Sequence, residues 1–162
     1  MSMLGMSLLK EIVLKEYITH PAVILRRLRK EVISALGQKG LSGEQGDGMD
    51  MALITISHDA RKLEFAGAYN PLYLVRRKEL PPPSAGEIFI TDDERKKSDY
   101  ILYEIPADKM PISHFLKMDK FRSQELEIFE GDNIYLFSDG YPDQFGGPRG
   151  KKFKYKPFKY ML

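Results

Sequence analysis

The residues with the clearest chemical potential are Ser138–Asp139–Gly140, which directly follow the apolar run Ile134–Tyr135–Leu136–Phe137. A run that is apolar on both faces predicts a buried, central strand. A carboxylate just past its end is carried to a sheet rim on a rigid support and faces solvent. Such a group suits a hard divalent cation, because Mg²⁺ and Mn²⁺ favour oxygen donors. Gly140 is expected to allow a turn that a larger side chain would obstruct. Taken alone, Asp-Gly after a strand is more often a plain turn. A second acidic group occurs in Gly46–Asp47–Gly48–Met49–Asp50, ahead of Met51–Ala52–Leu53–Ile54. It lacks the Glu of a twelve-residue calcium loop and the Lys-Ser/Thr of a phosphate-binding loop. A turn entering a strand is its simplest reading.

Other chemistry-bearing residues are less organised. His20, His58 and His114 show no helical pairing and no carboxylate at a catalytic spacing, and read as loop or surface residues. Ser57–His58–Asp59 is contiguous, so its side chains point to opposite faces and form no triad. The tail interleaves Phe153, Tyr155, Phe158 and Tyr160 with lysines. Such a stretch can stack on single-stranded nucleic acid, but more often packs its rings on the domain and leaves the lysines in water.

The elements that must position these groups follow from periodicity. Leu4, Leu8, Ile12 and Leu9, Val13, Tyr17 recur at helical spacing over about residues 2–18. After Thr19–His20–Pro21, with Thr19 as a cap, a second helix buries Ile24, Leu28, Val32 and Ala35 and stops at Gly37 and Gly40. Residues 37–50 form a polar, Gly-rich loop. Short strands are then expected at about 51–57, 62–67, 71–77, 87–91, 100–105, 124–129 and 133–138. Leu126 and Ile128 alternate with glutamates, giving a strand with one wet face, and Glu130–Gly131–Asp132–Asn133 reads as a hairpin turn. Residues 77–99, with Pro81–Pro82–Pro83 and the charged run 92–97, form a surface excursion. Two helices followed by many strands indicate an α+β layered domain.

Composition narrows the function classes. The chain of 162 residues has a formal net charge of +2, too small to imply a nucleic-acid partner, and no cysteine for disulfides or thiolate metal sites. The cluster Arg26–Arg27–Arg29–Lys30 is read as a solvated face. No apolar run reaches the ~20 residues needed to span a bilayer, and Lys10 and Glu11 break the apolar N-terminus, so a cytoplasmic location is expected.

The segments "GDGMDMALITI", "LEFAGAYNPLYLVR", "PADKMPIS" and "FEGDNIYLFSDGYPDQFGGPRGKKFKYKPFK", in that order, resemble the SpoIIE-like branch of PPM-type (metal-dependent) bacterial serine/threonine phosphatase domains. "MSMLGMSLLKEIV" is similar to the helix after that family's first metal-binding Asp-Gly loop, and only residues 77–99 fall outside the resemblance. It implies a two-layer β-sandwich flanked by helices (α-β-β-α layers) with a binuclear Mn²⁺ or Mg²⁺ centre. By that resemblance the metals would activate a water for in-line attack on phosphoserine or phosphothreonine. Asp139 would be a metal ligand, with Gly140 shaping the turn. Asp47 and Asp50 match a loop near the site and are not assigned as ligands.

The family's first Asp-Gly loop belongs before Met1, and a last Asp-bearing strand beyond Leu162. Residues 1–162 are therefore expected to be a single truncated domain, missing N-terminal and C-terminal strands. One carboxylate does not supply the about six oxygens a hard divalent ion needs, so little or no phosphatase activity is expected of the chain alone. The implied partners are a phosphorylated regulatory protein of anti-anti-sigma type and an upstream sensor domain. The alternative is a non-catalytic phosphatase-like module that binds a regulatory partner.

Overall fold

The computed structural model describes residues 2–40, 47–88, 98–146 and 150–162. Two helices come first, α1 (Ser2–Leu14) and α2 (Pro21–Ala35). Seven strands follow: β1 (Met51–Ile56), β2 (Lys62–Ala68), β3 (Leu72–Arg77), β4 (Glu87–Ile88), β5 (Tyr100–Ile105), β6 (Gln124–Glu127) and β7 (Asn133–Leu136). A small hairpin, β8 (Phe145–Gly146) with β9 (Lys151–Lys152), leads into the seven-residue helix α3 (Tyr155–Met161). The strands pair antiparallel in two main sheets, β1-β2-β6 and β4-β5-β3-β7.

The period-two alternation of the strands builds the layers. On β2, Leu63 and Phe65 face the second sheet and pack with Leu72, Leu74, Tyr103, Ile105 and Leu126. Ala66 and Ala68, on the opposite face, pack under Ile24, Leu25, Leu28 and Val32 of α2 and Ile12 of α1. The small alanines let α2 approach the sheet closely. On β3 the same alternation sends Tyr73 and Val75 outward, where Leu102, Phe137 and Phe158 of α3 cover them. The order is helices, sheet, sheet, helix: an α+β sandwich with α-β-β-α layers, as expected.

Several local expectations need correction. α1 ends at Leu14 rather than about residue 18, and Tyr17 turns the chain with φ 54°. The N-cap of α2 is His20, not Thr19, and it makes no side-chain cap; its Nδ1 lies 3.1 Å from Glu64 Oε2 instead. β7 is an edge strand, hydrogen-bonded only to β3 among the described residues, and Leu136 is 41% exposed. Residues 130–133 do not make a hairpin, because β6 and β7 belong to different sheets. They form a corner at which the chain changes sheet.

That corner is fixed by Arg76, a charged side chain only 1% exposed. Its guanidinium forks onto Asp132, with Nε 3.0 Å from Oδ1 and Nη2 2.7 Å from Oδ2. It also donates to the carbonyls of Pro81 and Glu127, each at 2.7 Å, and lies 4.6 Å from the centroid of the Phe129 ring. Asp132 Oδ2 accepts the Phe129 N–H as well. Burial is tolerated because nearly every donor of the fork is met. Arg29 departs from a purely solvated face too, packing over Phe121 and donating to the Asp119 carbonyl. Parts of the 37–50 loop (41–46), of the predicted 87–91 strand (89–91), the run 92–97 and residues 147–149 lie outside the described residues.

Candidate functional site

Strand register brings Asp50 and Asp139 to one rim. Met51 pairs with Ala68, so Asp50 sits at the end of the first sheet where β2 leaves it. The chain crosses through Tyr69–Asn70–Pro71 into the second sheet, where Leu72 pairs with Leu136. Asp139 follows three residues later, in a turn closed by Asp143 N–H donating to the Asp139 carbonyl at 2.8 Å. Both aspartates stand at the surface. Partial burial, followed by the negative charge of Asp139, holds the Asp50 carboxyl above the ordinary carboxylate range. Two like charges sharing a rim are an unfavourable arrangement that a cation relieves.

Asp50 is positioned by the segment before it. Met49 bridges to Ile112, whose N–H donates to the Met49 carbonyl at 2.9 Å. Gln38, 9% exposed, clamps the same region: its Nε2 donates to the Asp47 carbonyl at 2.6 Å, and its Oε1 accepts the His114 N–H at 2.9 Å. His114 therefore packs in this clamp, with its ring against Gly40, and does not face the two carboxylates as a ligand. Asp47 itself is exposed and contributes its carbonyl to the clamp. His58 lies in the turn between β1 and β2, at the opposite end of β1 from Asp50, about 20 Å away at the usual strand rise.

Gly140 corrects a sequence expectation. A Cβ placed there would meet only Ser138 Oγ, at 3.5 Å, an ordinary contact. The turn at Asp139 thus leaves room for a side chain at 140. Gly67 at the crossover is the contrasting case, since a Cβ there would come within 2.5 Å of the Asn70 carbonyl. Tyr69, two residues further on, adopts φ 60°, a left-handed conformation costing a non-glycine residue roughly 1–2 kcal/mol.

The structure adds Asp143, which sequence reasoning did not single out, and gives Tyr155 of the aromatic tail a place beside it. Asp143 lies one turn beyond Asp139 and pairs with Lys152 Nζ at 2.7 Å. Tyr155 reaches the same neighbourhood, its ring 6.4 Å from that of Phe137. Burial first, and then the charges of Asp139 and Asp143, push the Tyr155 phenol above its ordinary value; Lys152 opposes this and Asp50 adds to it. The phenol therefore stays neutral. The interleaving of aromatics and lysines was the available signal for this tail, but not its destination.

In donor chemistry, Asp50 and Asp139 fit a hard divalent ion. In number they do not: among the described residues no group of three or more His, Cys, Asp or Glu side chains could hold a metal ion. Asp50 and Asp139 alone do not make a binuclear centre. A separate cleft of about 400 Å³ is lined by Asp59, Arg61, Lys62, Ser84, Glu125 and Glu127. It mixes both charges, Lys62 and Glu125 already pair at 3.0 Å, and it lies at the far end of β1 from Asp50.

No protein-family model matches the sequence, and no curated protein matches it. Among solved structures it is similar to the SiaA-PP2C domain of Pseudomonas aeruginosa, with TM-score 0.69 and 24% sequence identity. The match covers 99% of this chain and 52% of that one, so the chain spans about half the length of the solved domain. No helix among the described residues is long and apolar enough to cross a membrane. Over almost its whole length, then, this chain has the fold of part of a PP2C-type (PPM) phosphatase domain.

Proposed function

We propose that this chain supplies part of the metal-binding rim of a serine/threonine protein phosphatase, with Asp139, on its Gly140 turn, and Asp50 as oxygen ligands for Mn²⁺ or Mg²⁺. The observation that carries this reading is the meeting of two carboxylates from different sheets at one solvent-facing rim, where burial and mutual repulsion raise the Asp50 pKa. A phosphatase-like fold agrees with it. A divalent ion needs about six oxygens, so two carboxylates bind it weakly, and the reading requires further ligands from residues other than those described. The substrate class is phosphoserine or phosphothreonine on a regulatory protein, of the anti-anti-sigma type that the sequence resemblance suggests. An upstream sensor domain and a cytoplasmic location complete that picture.

The second reading, a non-catalytic module that binds a partner, is favoured by the shortage of ligating side chains among the described residues. p-Nitrophenyl phosphate with Mn²⁺ separates the two. The chain alone is expected to turn over at background. Robust turnover that Asp139→Asn abolishes would establish phosphatase chemistry and overturn the claim that the rim is incomplete. Robust turnover that survives Asp139→Asn would remove Asp139 from the site. Background turnover together with no uptake of Mn²⁺ would favour the binding module.

A further inference from the structure

The lysine-rich tail is pinned beside the carboxylate rim by its own hairpin. Phe153 N–H donates to the Gln144 carbonyl at 2.8 Å, and Lys154 N–H to that of Pro142 at 2.6 Å. Lys152 pairs with Asp143 at 2.7 Å. Tyr141 packs between Phe153 and Phe158, at ring-centroid distances of 5.6 and 5.4 Å. Pro142 is three residues from Asp139, so their Cα atoms lie within about 11 Å at full extension. The Asp143-to-Asp139 hydrogen bond shortens that path.

The charges on this strap are unequally satisfied. Lys152 is neutralised by Asp143, Lys159 pairs with Glu104, and Lys156 lies over the Tyr160 ring. Lys151 and Lys154 are exposed and have no carboxylate partner among the described residues. Lys154 also holds φ 72°, a conformation rare for a non-glycine residue. It is kept there by the bond to Pro142 and by the packing of Phe158, which is 8% exposed. Strained backbone of this kind persists where its surroundings over-determine it, and clusters near functional sites.

We infer that the strap formed by residues 150–161, through Lys151 and Lys154, binds acidic residues flanking the phosphorylated side chain of a protein substrate presented to the Asp50–Asp139 rim. This rests on the phosphatase reading above. The rim is acidic and takes cations, whereas the strap beside it is basic and takes anions. A phosphopeptide with acidic neighbours complements the strap directly, and its phosphate would meet the rim through a divalent cation held there.

Fluorescence anisotropy tests this with labelled phosphoserine peptides whose flanks are glutamate or lysine, in the presence of Mn²⁺. The glutamate-flanked peptide is expected to bind about tenfold tighter, with the margin shrinking as salt screens the strap. The neutral Lys151→Gln/Lys154→Gln variant should lose most of the preference and Lys151→Glu/Lys154→Glu should reverse it, with unchanged melting as the folding control. Equal binding of the two peptides, or a preference that survives both variants, would overturn the inference. So would equally effective displacement by a single-stranded oligodeoxythymidylate, since that would mark a general polyanion surface. If the acidic preference persists but the unphosphorylated peptide binds equally well, the strap assignment stands and the phosphatase reading fails.

Discussion

The Asp50 carboxyl, held above its ordinary value of 3.8 by burial and then by Asp139, has a defined linkage to stability. Between the unfolded value and the raised folded one, the native state binds more protons than the unfolded chain. Stability therefore falls as pH rises through that window, and the whole penalty is present at neutral pH. Asp50→Asn removes the ionising group, so the variant should be more stable than the parent at pH 7 in the presence of EDTA. The margin should narrow as pH falls towards 4. Urea midpoints across that range measure it; a variant that is less stable at pH 7 would show that the Asp50 charge has a favourable partner. A divalent ion bound as proposed would relieve the same repulsion, which would link stability and binding through one residue. Asp139 was singled out because a carboxylate after an apolar strand is carried to a sheet rim, and its metal role came only from the resemblance. Its proximity to Asp50 was not legible, since it depends on the register of β1 on β2 and of β7 on β3, which local spacing does not encode.

Strands and helices were read from periodicity with few errors because the alternation of Leu63, Phe65 with Ala66, Ala68 is a local property. The sheet that each strand joins is a different matter. Gly131 and Asp132 serve a hairpin and a sheet-changing corner equally well, and Gly131 takes φ 88° here. What selects the corner is Arg76, 56 residues from Asp132, a side chain whose type alone suggests the surface. Asp132→Ala strands that guanidinium in the interior, and loss of one partner of a buried pair costs about 3–5 kcal/mol. Equilibrium urea unfolding should show a loss of that size, with the Pro81 loop and the β6–β7 corner losing hydrogen-exchange protection first. A loss below about 1 kcal/mol would mean that water reaches Arg76 and that the corner is held by something else. β7 shows the same limit from the other side: four apolar residues predicted a central strand, yet its residues are divided between the inter-sheet core, the α3 side and solvent.

Across the whole molecule, the two sheets converge their β1, β2, β3 and β7 ends on one rim, and the C-terminal strap closes against it through Asp143, Lys152 and Tyr155. The layer order was legible from the succession of helical and strand periods and from the segments that resemble PPM phosphatases. The place of the tail was not, because an aromatic-lysine alternation packs equally well on any apolar face. The role proposed for this rim is to receive a divalent cation through Asp139 and Asp50. Mn²⁺ electron paramagnetic resonance tests it directly, since bound Mn²⁺ leaves the sharp free-ion signal. Weak, saturable loss of the free signal is expected on adding the chain, abolished by Asp139→Asn and weakened several-fold by Asp50→Asn, with both variants folded by circular dichroism. A free-ion signal unchanged by the parent chain, or reduced equally by the parent and both variants, would contradict it.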